Sequence, residues 1–311
     1  MTKFLNRFIW FSIVSVFAAS VLPNLFISYW FIDLFAHFKV QYIVVSTILV
    51  AFVFLFLKEK RIALFLLVVS ILWNCYFVLP YYFSLPEQPR LNKETLKVSS
   101  INLLSSNSKP EEVKTYIKKE DADIIVLMEV TPQWEQELSR LKNQYSFHEF
   151  VTRTDNFGIA LLSKQEMAVS IKYFGDSQMP SIVGGLKIGA ENLSLVATHP
   201  VPPMGQTAFR KRNSQLKNII ENRNIFHENL VIIGDFNMSS FTNHFVQLTK
   251  KDLRDSRKGF GLLPTWPTNI WPMQTTLDHC LVSSKIIVQD RSVGNDLGSD
   301  HLPINIVIGL N

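Results

Sequence analysis

The apolar residues divide the chain into two parts with different periodicities. Three long apolar stretches occupy roughly residues 8–30, 40–57 and 62–83, and no charged residue interrupts any of them. A helix needs about 20 apolar residues to cross the hydrocarbon core of a bilayer. The pattern therefore predicts three membrane spans. For the first stretch, the preceding Lys3 and Arg7 leave a cleaved signal peptide as the alternative.

After residue 91, short apolar runs alternate with Gly, Pro, Asn, Asp and Ser, which is typical of strands separated by turns. Three segments with helical spacing lie among them. Because strands and helices do not alternate strictly, the pattern favours an α+β fold with layers around paired sheets over a doubly wound fold. The strands are predicted at 96–104, 123–130, 157–164, 193–200, 229–237, 275–283 and 302–310, and the helices at 110–122, 131–144 and 207–224.

The segment "LPEQPRL" (85–91) contains two prolines and reads as an extended linker. It places the domain boundary between a membrane anchor, residues 1–90, and a soluble domain, residues 91–311. The chain has only two cysteines, which excludes a disulfide framework, so the soluble domain depends on its core for stability.

Charge follows the same division. The chain carries +5 in total, and the first 90 residues carry +4 of it, which leaves +1 for the soluble domain. The basic character is therefore not a nucleic-acid footprint. Basic residues cluster at 58–61 and at Lys3 and Arg7. By the positive-inside rule these lie in the cytoplasm, so three crossings place the soluble domain on the extracytoplasmic side of an inner or plasma membrane.

Polar residues with catalytic potential lie at the carboxyl ends of the apolar strands or directly after them, and two more lie just before the last strand. Each alone has a structural explanation: the "GDFN" motif at 234–237 suits a turn, and His199 suits a loop. Together, carboxylates, amides and two histidines form the set that a Mg²⁺- or Mn²⁺-dependent phosphoester site requires. No zinc-ligand spacing, Walker glycine loop or G-x-S-x-G motif is present. The set comprises Asn102, Glu129, His199, Asp235, Asn237, Asp278, Asp300 and His301.

Seven motifs along the soluble domain resemble, in order and spacing, the endonuclease/exonuclease/phosphatase superfamily, which includes enzymes similar to exonuclease III, deoxyribonuclease I and neutral sphingomyelinases. The membrane segments resemble those of bacterial membrane-anchored members. The resemblance implies a four-layer α/β sandwich, in which two packed mixed sheets are flanked by helices. The motifs are "INLL" (101–104), "LMEV" (127–130), "FGIALLS" (157–163), "THP" (198–200), "IIGDFN" (232–237), "TLDHCLVS" (276–283) and "GSDHLPI" (298–304).

The resemblance also implies a metal-dependent hydrolase of phosphoric esters. Glu129 would be the main ligand of Mg²⁺ or Mn²⁺, with Asn102 nearby and Asp300 contributing. Asp235 would activate or orient the attacking water, and Asn237 would hold that water and a phosphate oxygen.

Both histidines receive roles from the same resemblance. His199 would stabilise charge in the transition state, and His301 would pair with Asp278 and act in proton transfer or phosphate polarisation. Whether Asp235 or His301 is the base stays open. Arg212 and Gln215 are candidate substrate contacts, with an exposed helix face as the alternative.

The expected partners are the lipid bilayer and a phosphate-ester substrate, either a lipid head group or a nucleic acid, and no protein partner is predicted. An extracytoplasmic nuclease is an alternative with the same chemistry. A catalytically silent, membrane-tethered binding domain is the alternative from another class.

Overall fold

The computed structural model describes residues 2–84, 94–250 and 252–310, and it begins with a bundle of three long helices. The helices are α1 (Thr2–Leu25), α2 (Trp30–Leu34), α3 (Lys39–Phe56), α4 (Arg61–Val78) and α5 (Pro80–Phe83), with a 3₁₀ turn at Phe35–Phe38. By length and composition, the segments Lys3–Leu25, Trp30–Phe56 and Arg61–Phe83 can each cross a membrane. The three predicted spans are therefore confirmed as helices of suitable length. The predicted linker, 85–91, lies outside the described residues.

Polar contacts hold the three long helices together inside the bundle. Ser20 and Ser70 are joined by a hydrogen bond of 2.8 Å, and Asn74 donates one of 2.9 Å to Ser20. The Lys39 ammonium donates to the Ser20 carbonyl and to Asn24, each at 2.6 Å. Hydrogen bonds of this kind between apolar helices hold membrane-spanning bundles together.

The rest of the described chain is a sandwich of two six-stranded mixed sheets with helices on both outer faces, which confirms the predicted fold class. The helices are α6 (Pro110–Glu120), α7 (Pro132–Leu138), α8 (Gln206–Glu221) and α9 (Asn243–Leu248). The strands are β1 (Thr95–Asn102), β2 (Ile124–Met128), β3 (Phe147–Val151), β4 (Ile159–Ser163), β5 (Ala168–Tyr173), β6 (Pro180–Ile188), β7 (Glu191–Thr198), β8 (Asn229–Asp235), β9 (Leu253–Asp255), β10 (Asp278–Ser283), β11 (Ile286–Val293) and β12 (Ile304–Leu310).

The two sheets repeat one arrangement. The strand orders are β11-β12-β1-β2-β4-β3 and β5-β6-β7-β8-β10-β9. In the first, β1 and β2 are the central parallel pair, and in the second β7 and β8 are parallel. All other neighbouring strands run antiparallel. Each sheet thus brings the carboxyl ends of two adjacent buried strands to one edge, where following residues are held rigidly.

The main hydrophobic core lies between the sheets, and two further clusters pack the helices onto their outer faces.

The residues at the N-termini of two helices are of the types that favour helix starts. Pro110 starts α6, followed by two glutamates in its first turn, and the Thr131 hydroxyl caps α7 by accepting from the Trp134 N–H at 3.3 Å. The sequence therefore specifies both the layers and the ends of several elements.

The sandwich contacts one end of the helical bundle. Asn243 donates to the Asn24 carbonyl at 2.6 Å, and the N–H groups of Gly259 and Gly261 donate to the Tyr81 carbonyl at 3.0 and 2.9 Å. These contacts involve the end of α1 and the residues after α4, whereas the basic loop at 58–61 joins α3 and α4 at the other end. The sandwich and the basic loop therefore lie at opposite ends of the bundle.

Candidate active site

Asn102 and Glu129 meet because β1 and β2 are parallel neighbours and each residue stands at a strand's carboxyl end. The Asn102 amide donates to Glu129 Oε1 at 3.3 Å. Glu129 Oε2 accepts from the Ser105 N–H and hydroxyl, both at 2.9 Å. These bonds hold Glu129 in a left-handed backbone conformation, with φ of 60°. Such strain persists where surrounding contacts enforce it and is typical of functional sites.

His199 and Asp235 meet by the same principle at the ends of β7 and β8. His199 Nε2 lies 3.5 Å from Asp235 Oδ2. Gly234 is required here: its φ is 145°, and a Cβ would lie 2.1 Å from the Thr198 carbonyl oxygen. Asn102 then joins the two sheets, because its amide donates to Asp235 Oδ2 at 3.2 Å.

The residues after β8 form a turn, as one interpretation of "GDFN" predicted. Asp235 Oδ1 accepts from the Asn237 N–H at 2.8 Å, and Asn237 has a φ of 49°. The Asn237 amide donates to the Pro200 carbonyl at 3.0 Å and lies 3.4 Å from His199 Nε2. The turn thus places a second amide beside the carboxylate and the histidine, so the turn and catalytic interpretations are compatible.

Asp278 corrects one expectation about strand position. It was expected at the carboxyl end of an apolar run, but it is the first residue of β10. Because β10 runs antiparallel to β8, its first residue pairs in register with Asp235. Asp278 Oδ2 lies 2.8 Å from Nδ1 of His301, whose Nε2 lies 3.6 Å from Asp235 Oδ2. The strand start therefore delivers this carboxylate to the same cluster.

Burial and charge set opposite ionisation states in this cluster. Burial alone would raise the pKa of the Asp235 carboxyl. The nearby His301 and His199 outweigh burial and lower this pKa to about 2. Burial lowers the pKa of His301, but the Asp278 and Asp235 carboxylates outweigh this and raise it to about 10. At neutral pH the cluster is therefore a carboxylate facing an imidazolium.

Several carboxylates in this region could be ligands of a hard divalent cation. Asp235, Asp278 and His301 offer ligand atoms that all lie within 4.8 Å of one another. Asp278 accepts a hydrogen bond from His301, and Glu129 likewise accepts hydrogen bonds from Ser105 and Asn102. Glu129 and Asp300 both line the cleft, and Asp300 Oδ1 is buried without a hydrogen-bond partner, while its Oδ2 accepts from the Trp266 indole at 3.0 Å. A buried carboxylate oxygen without a hydrogen-bond partner suits Mg²⁺ or Mn²⁺.

The cluster lies in a cleft of about 620 Å³, and the N-terminal helical segment forms part of its wall. Leu34, His37 and Phe38 line one wall, and they belong to the segment between α1 and α3. Sequence reasoning missed this wall because it assigned that segment to a loop between spans. The available signal was Asp33 and His37, two polar residues at helical spacing in an apolar stretch.

Arg212 and Gln215 lie outside this cleft, and the expectation of an exposed helix face is wrong, because both are fully buried. The Gln215 amide donates to the Thr198 hydroxyl at 2.9 Å, beneath the end of β7. Arg212 donates to the Asn237 carbonyl at 2.8 Å and to Asp33 Oδ2 at 3.0 Å. Arg212 thus links α2, through Asp33, to the turn that carries Asn237.

Replacing Asp33 by Leu is expected to lower stability by about 3–5 kcal/mol, because it leaves the Arg212 guanidinium buried and uncompensated. The exposed fraction is 2% for Asp33 and 0% for Arg212. Thermal unfolding of the detergent-purified protein measures the effect. The matched control is Glu59→Leu, in the exposed loop at 58–61 at the other end of the helical bundle. The double variant Asp33→Leu/Arg212→Met should recover part of the loss, and an equal or larger loss in the double variant contradicts this account.

The two packed mixed sheets and the polar cluster at the ends of their central strands define the class of phosphoesterase-like α+β sandwiches. The family model described as the Endonuclease/Exonuclease/phosphatase family matches residues 73–301. The chain belongs to this family. A comparison with curated protein sequences found no match.

Solved structures show the same fold. A humanized D. rerio TDP2 carrying 14 mutations has a TM-score of 0.59 and 16% sequence identity, over 69% of this chain and 99% of its own. An endonuclease/exonuclease/phosphatase from Bacteroides vulgatus has a TM-score of 0.58 and 18% identity, over 70% and 100%. The human Nocturnin catalytic domain, solved with a bound sulfate anion, has 0.56 and 17%, over 71% and 96%. At these identities the likeness concerns the fold.

Proposed function

We propose that the chain is a membrane-anchored, divalent-metal-dependent phosphoesterase that hydrolyses a phosphodiester or phosphomonoester by in-line attack of water. The main support is the cleft in which both sheets place polar residues from their strand ends around Asp235 Oδ2. Asn102, His199 and His301 approach that one oxygen at 3.2, 3.5 and 3.6 Å. Membership of the family supports the same reaction class.

Glu129 and Asp300, with Asn102 beside them, would hold the cation. When bound, a divalent ion supplies positive charge that clamps phosphate oxygens and offsets the charge developing on them. Asp300 Oδ1 and Glu129 suit this task because the first is an orphaned acceptor and hydrogen bonds from Ser105 orient the second.

The remaining residues position water and phosphate. Asp235 would orient the attacking water, because its carboxylate is ionised and fixed by the Asn237 N–H. His301 would donate to a phosphate oxygen through Nε2, because its Nδ1 is engaged by Asp278. His199 and Asn237 would contact phosphate oxygens in the transition state. Preorganised hydrogen-bond donors are most effective where charge develops on such oxygens.

Hydrolysis of bis-p-nitrophenyl phosphate by the full-length protein in detergent tests the proposal. We expect turnover with Mg²⁺ or Mn²⁺, loss of turnover with EDTA, and recovery when the metal is added back. The full chain is used because the anchor supplies a wall of the cleft and the partner of Arg212. No turnover by a folded, metal-supplemented protein would favour a silent binding domain, and cleavage of plasmid DNA in preference to other esters would favour a nuclease.

The location of the catalytic domain outside the cytoplasm belongs to the same proposal. It is supported by the basic loop at 58–61, which lies at the end of the bundle opposite to the sandwich. Alkaline phosphatase fused after Pro89 should be active. The assigned side is contradicted if this fusion is inactive and a second fusion, which carries a fluorescent cytoplasmic reporter at the same point, is fluorescent.

A further inference from the structure

A second cavity, of about 540 Å³, adjoins the catalytic cleft, and His37 lines both. It lies between α3 and the sandwich segment 262–276. We name it the α3 groove. Its volume lies within the range of about 300–1,000 Å³ that is typical of small-molecule sites. Its apolar lining includes Val40, Val44, Val45, Leu262, Trp271 and Met273.

The α3 groove follows a helix that is long and apolar enough to cross the membrane. Val44 and Val45 both line the groove and are 52% and 39% exposed. Val45 lies six residues into α3, which corresponds to roughly 9 Å along the helix axis. The groove therefore extends from the cleft along the part of α3 that acyl chains would surround.

The opposite wall carries an exposed aromatic and apolar segment. Trp271 is 80% exposed, and Ile270 and Met273 beside it are also exposed. Gln41 fixes this segment to the start of α3, because its amide donates to the carbonyls of Pro272 and Gln274 at 3.0 and 3.2 Å. Tryptophan at such a position is typical of the membrane interface. The catalytic domain thus meets the bilayer where the groove lies.

His37 forms the junction between the α3 groove and the polar cluster. Its carbonyl accepts from the Thr275 hydroxyl at 3.1 Å, which fixes the segment against the sandwich. The side chain is 8% exposed, and its Nε2 has no hydrogen-bond partner. A buried, unpartnered polar atom is costly unless a ligand pairs with it. The junction is therefore suited to the polar part of an amphiphilic molecule.

The residues that line the two cavities are unfavourable for binding a nucleic acid. Among the described residues that line the cleft and the α3 groove, none is Lys or Arg. Nucleic-acid binding depends on basic side chains that neutralise several backbone phosphates. An apolar groove that adjoins one polar cluster fits instead a phosphate group joined to a hydrocarbon chain.

We propose that the substrate is a membrane lipid bearing the phosphate ester, with an acyl chain in the α3 groove and the phosphate at Asp235 and His301. This inference rests on the proposed phosphoesterase function and names the substrate class of that site. The lipid would enter from the leaflet beside α3. Its acyl chain would then stay within the hydrocarbon layer, and its phosphate would stay at the membrane surface.

A series of n-alkyl phosphates from butyl to decyl tests the α3 groove, with each compound used as a competitive inhibitor of bis-p-nitrophenyl phosphate hydrolysis by the full-length protein in detergent. Each Ki is divided by the Ki of inorganic phosphate for the same variant. For the wild type we expect affinity to rise about two- to fourfold per added methylene. Val44→Trp, which fills the groove, should remove most of this rise, whereas Leu55→Trp at the far end of α3 should keep it.

The outcomes separate the two proposals. An equal chain-length dependence in Val44→Trp and wild type means that the chains only partition into detergent, which overturns the lipid proposal while the phosphoesterase function stands. Absence of bis-p-nitrophenyl phosphate hydrolysis overturns the function itself. As a second measurement, wild-type protein is photolabelled with hexadecyl phosphate carrying a terminal diazirine. Label at 40–45 and 262–276 supports the groove, and label only on α1 and α4 overturns it.

Discussion

Replacing His301 by Ala is expected to lower kcat/KM for bis-p-nitrophenyl phosphate by about 10²–10⁴-fold, the range observed for positioned acids and bases. His301 reaches the substrate side of the cleft through Nε2, and its Nδ1 lies 2.8 Å from Asp278. The same change leaves the Asp278 carboxylate buried, with 1% exposure, and without this partner. Thermal unfolding is therefore measured beside kinetics. The exposed His227→Ala is the control, and activity within threefold of wild type in His301→Ala contradicts the role.

Asp278 acts through His301, so it is a positioning residue with a distinct kinetic signature. Asp278→Asn should cost less than His301→Ala, and the double variant should be no slower than His301→Ala alone, because the two groups act as one unit. Since the Asp278 carboxylate raises the pKa of His301, its removal should move the basic limb of the pH profile to lower pH. Losses that multiply in the double variant, with an unmoved basic limb, contradict the pairing.

The sequence predicted that several polar residues lie at strand ends, and the structure brings four of these residues together. Asn102 and Asp235 are the last residues of β1 and β8, and Glu129 and His199 directly follow β2 and β7. The apolar runs of β2 and β8 are continuous, and a continuous run indicates a central strand. Two parallel pairs then place all four residues at one edge without further information. The paired sheets were predicted because strands and helices do not alternate strictly along the chain.

Other elements were missed because their patterns are weak. Strand β5 alternates exposed and half-buried residues at a sheet edge, β9 has three residues, and β11 contains a bulge between Val288 and Asp290. None of these gives a long apolar run. Pairing with neighbours, rather than local preference, forms them.

Contacts between the N-terminal helices and the sandwich could not be predicted, because no local pattern encodes a contact between residues that are far apart in the sequence. The Arg212–Asp33 ion pair joins positions 179 residues apart. Gln206 similarly donates to the Ser28 carbonyl at 2.9 Å. A sequence in which the anchor is apolar and the domain carries the chemistry suggests a passive tether. The buried ion pair and the shared cleft wall instead make the N-terminal helical segment part of the site.

Replacing Glu129 by Gln is expected to have the largest effect of any single change, a fall in kcat/KM of about 10³-fold or more. A bound metal contributes several kcal/mol to catalysis, and about 4 kcal/mol corresponds to 10³-fold. Gln keeps the size of the side chain and can still accept from the Ser105 N–H, so it preserves the left-handed backbone that Ala would leave unsupported. Isothermal titration with Mn²⁺ provides a readout independent of turnover, and affinity should fall at least 10–100-fold.

Glu112→Gln is the matched control, because Glu112 lies on the exposed face of α6 in a surface ion pair with Lys109. Surface pairs of this kind contribute little, so its Mn²⁺ affinity and activity should equal those of wild type. If Glu129→Gln keeps wild-type Mn²⁺ affinity, the ion is held by Asp235, Asp278 and His301 instead. Asp278→Asn would then release the metal, whereas with Glu129 as the main ligand it should leave Mn²⁺ binding largely intact and affect mainly the protonation of His301.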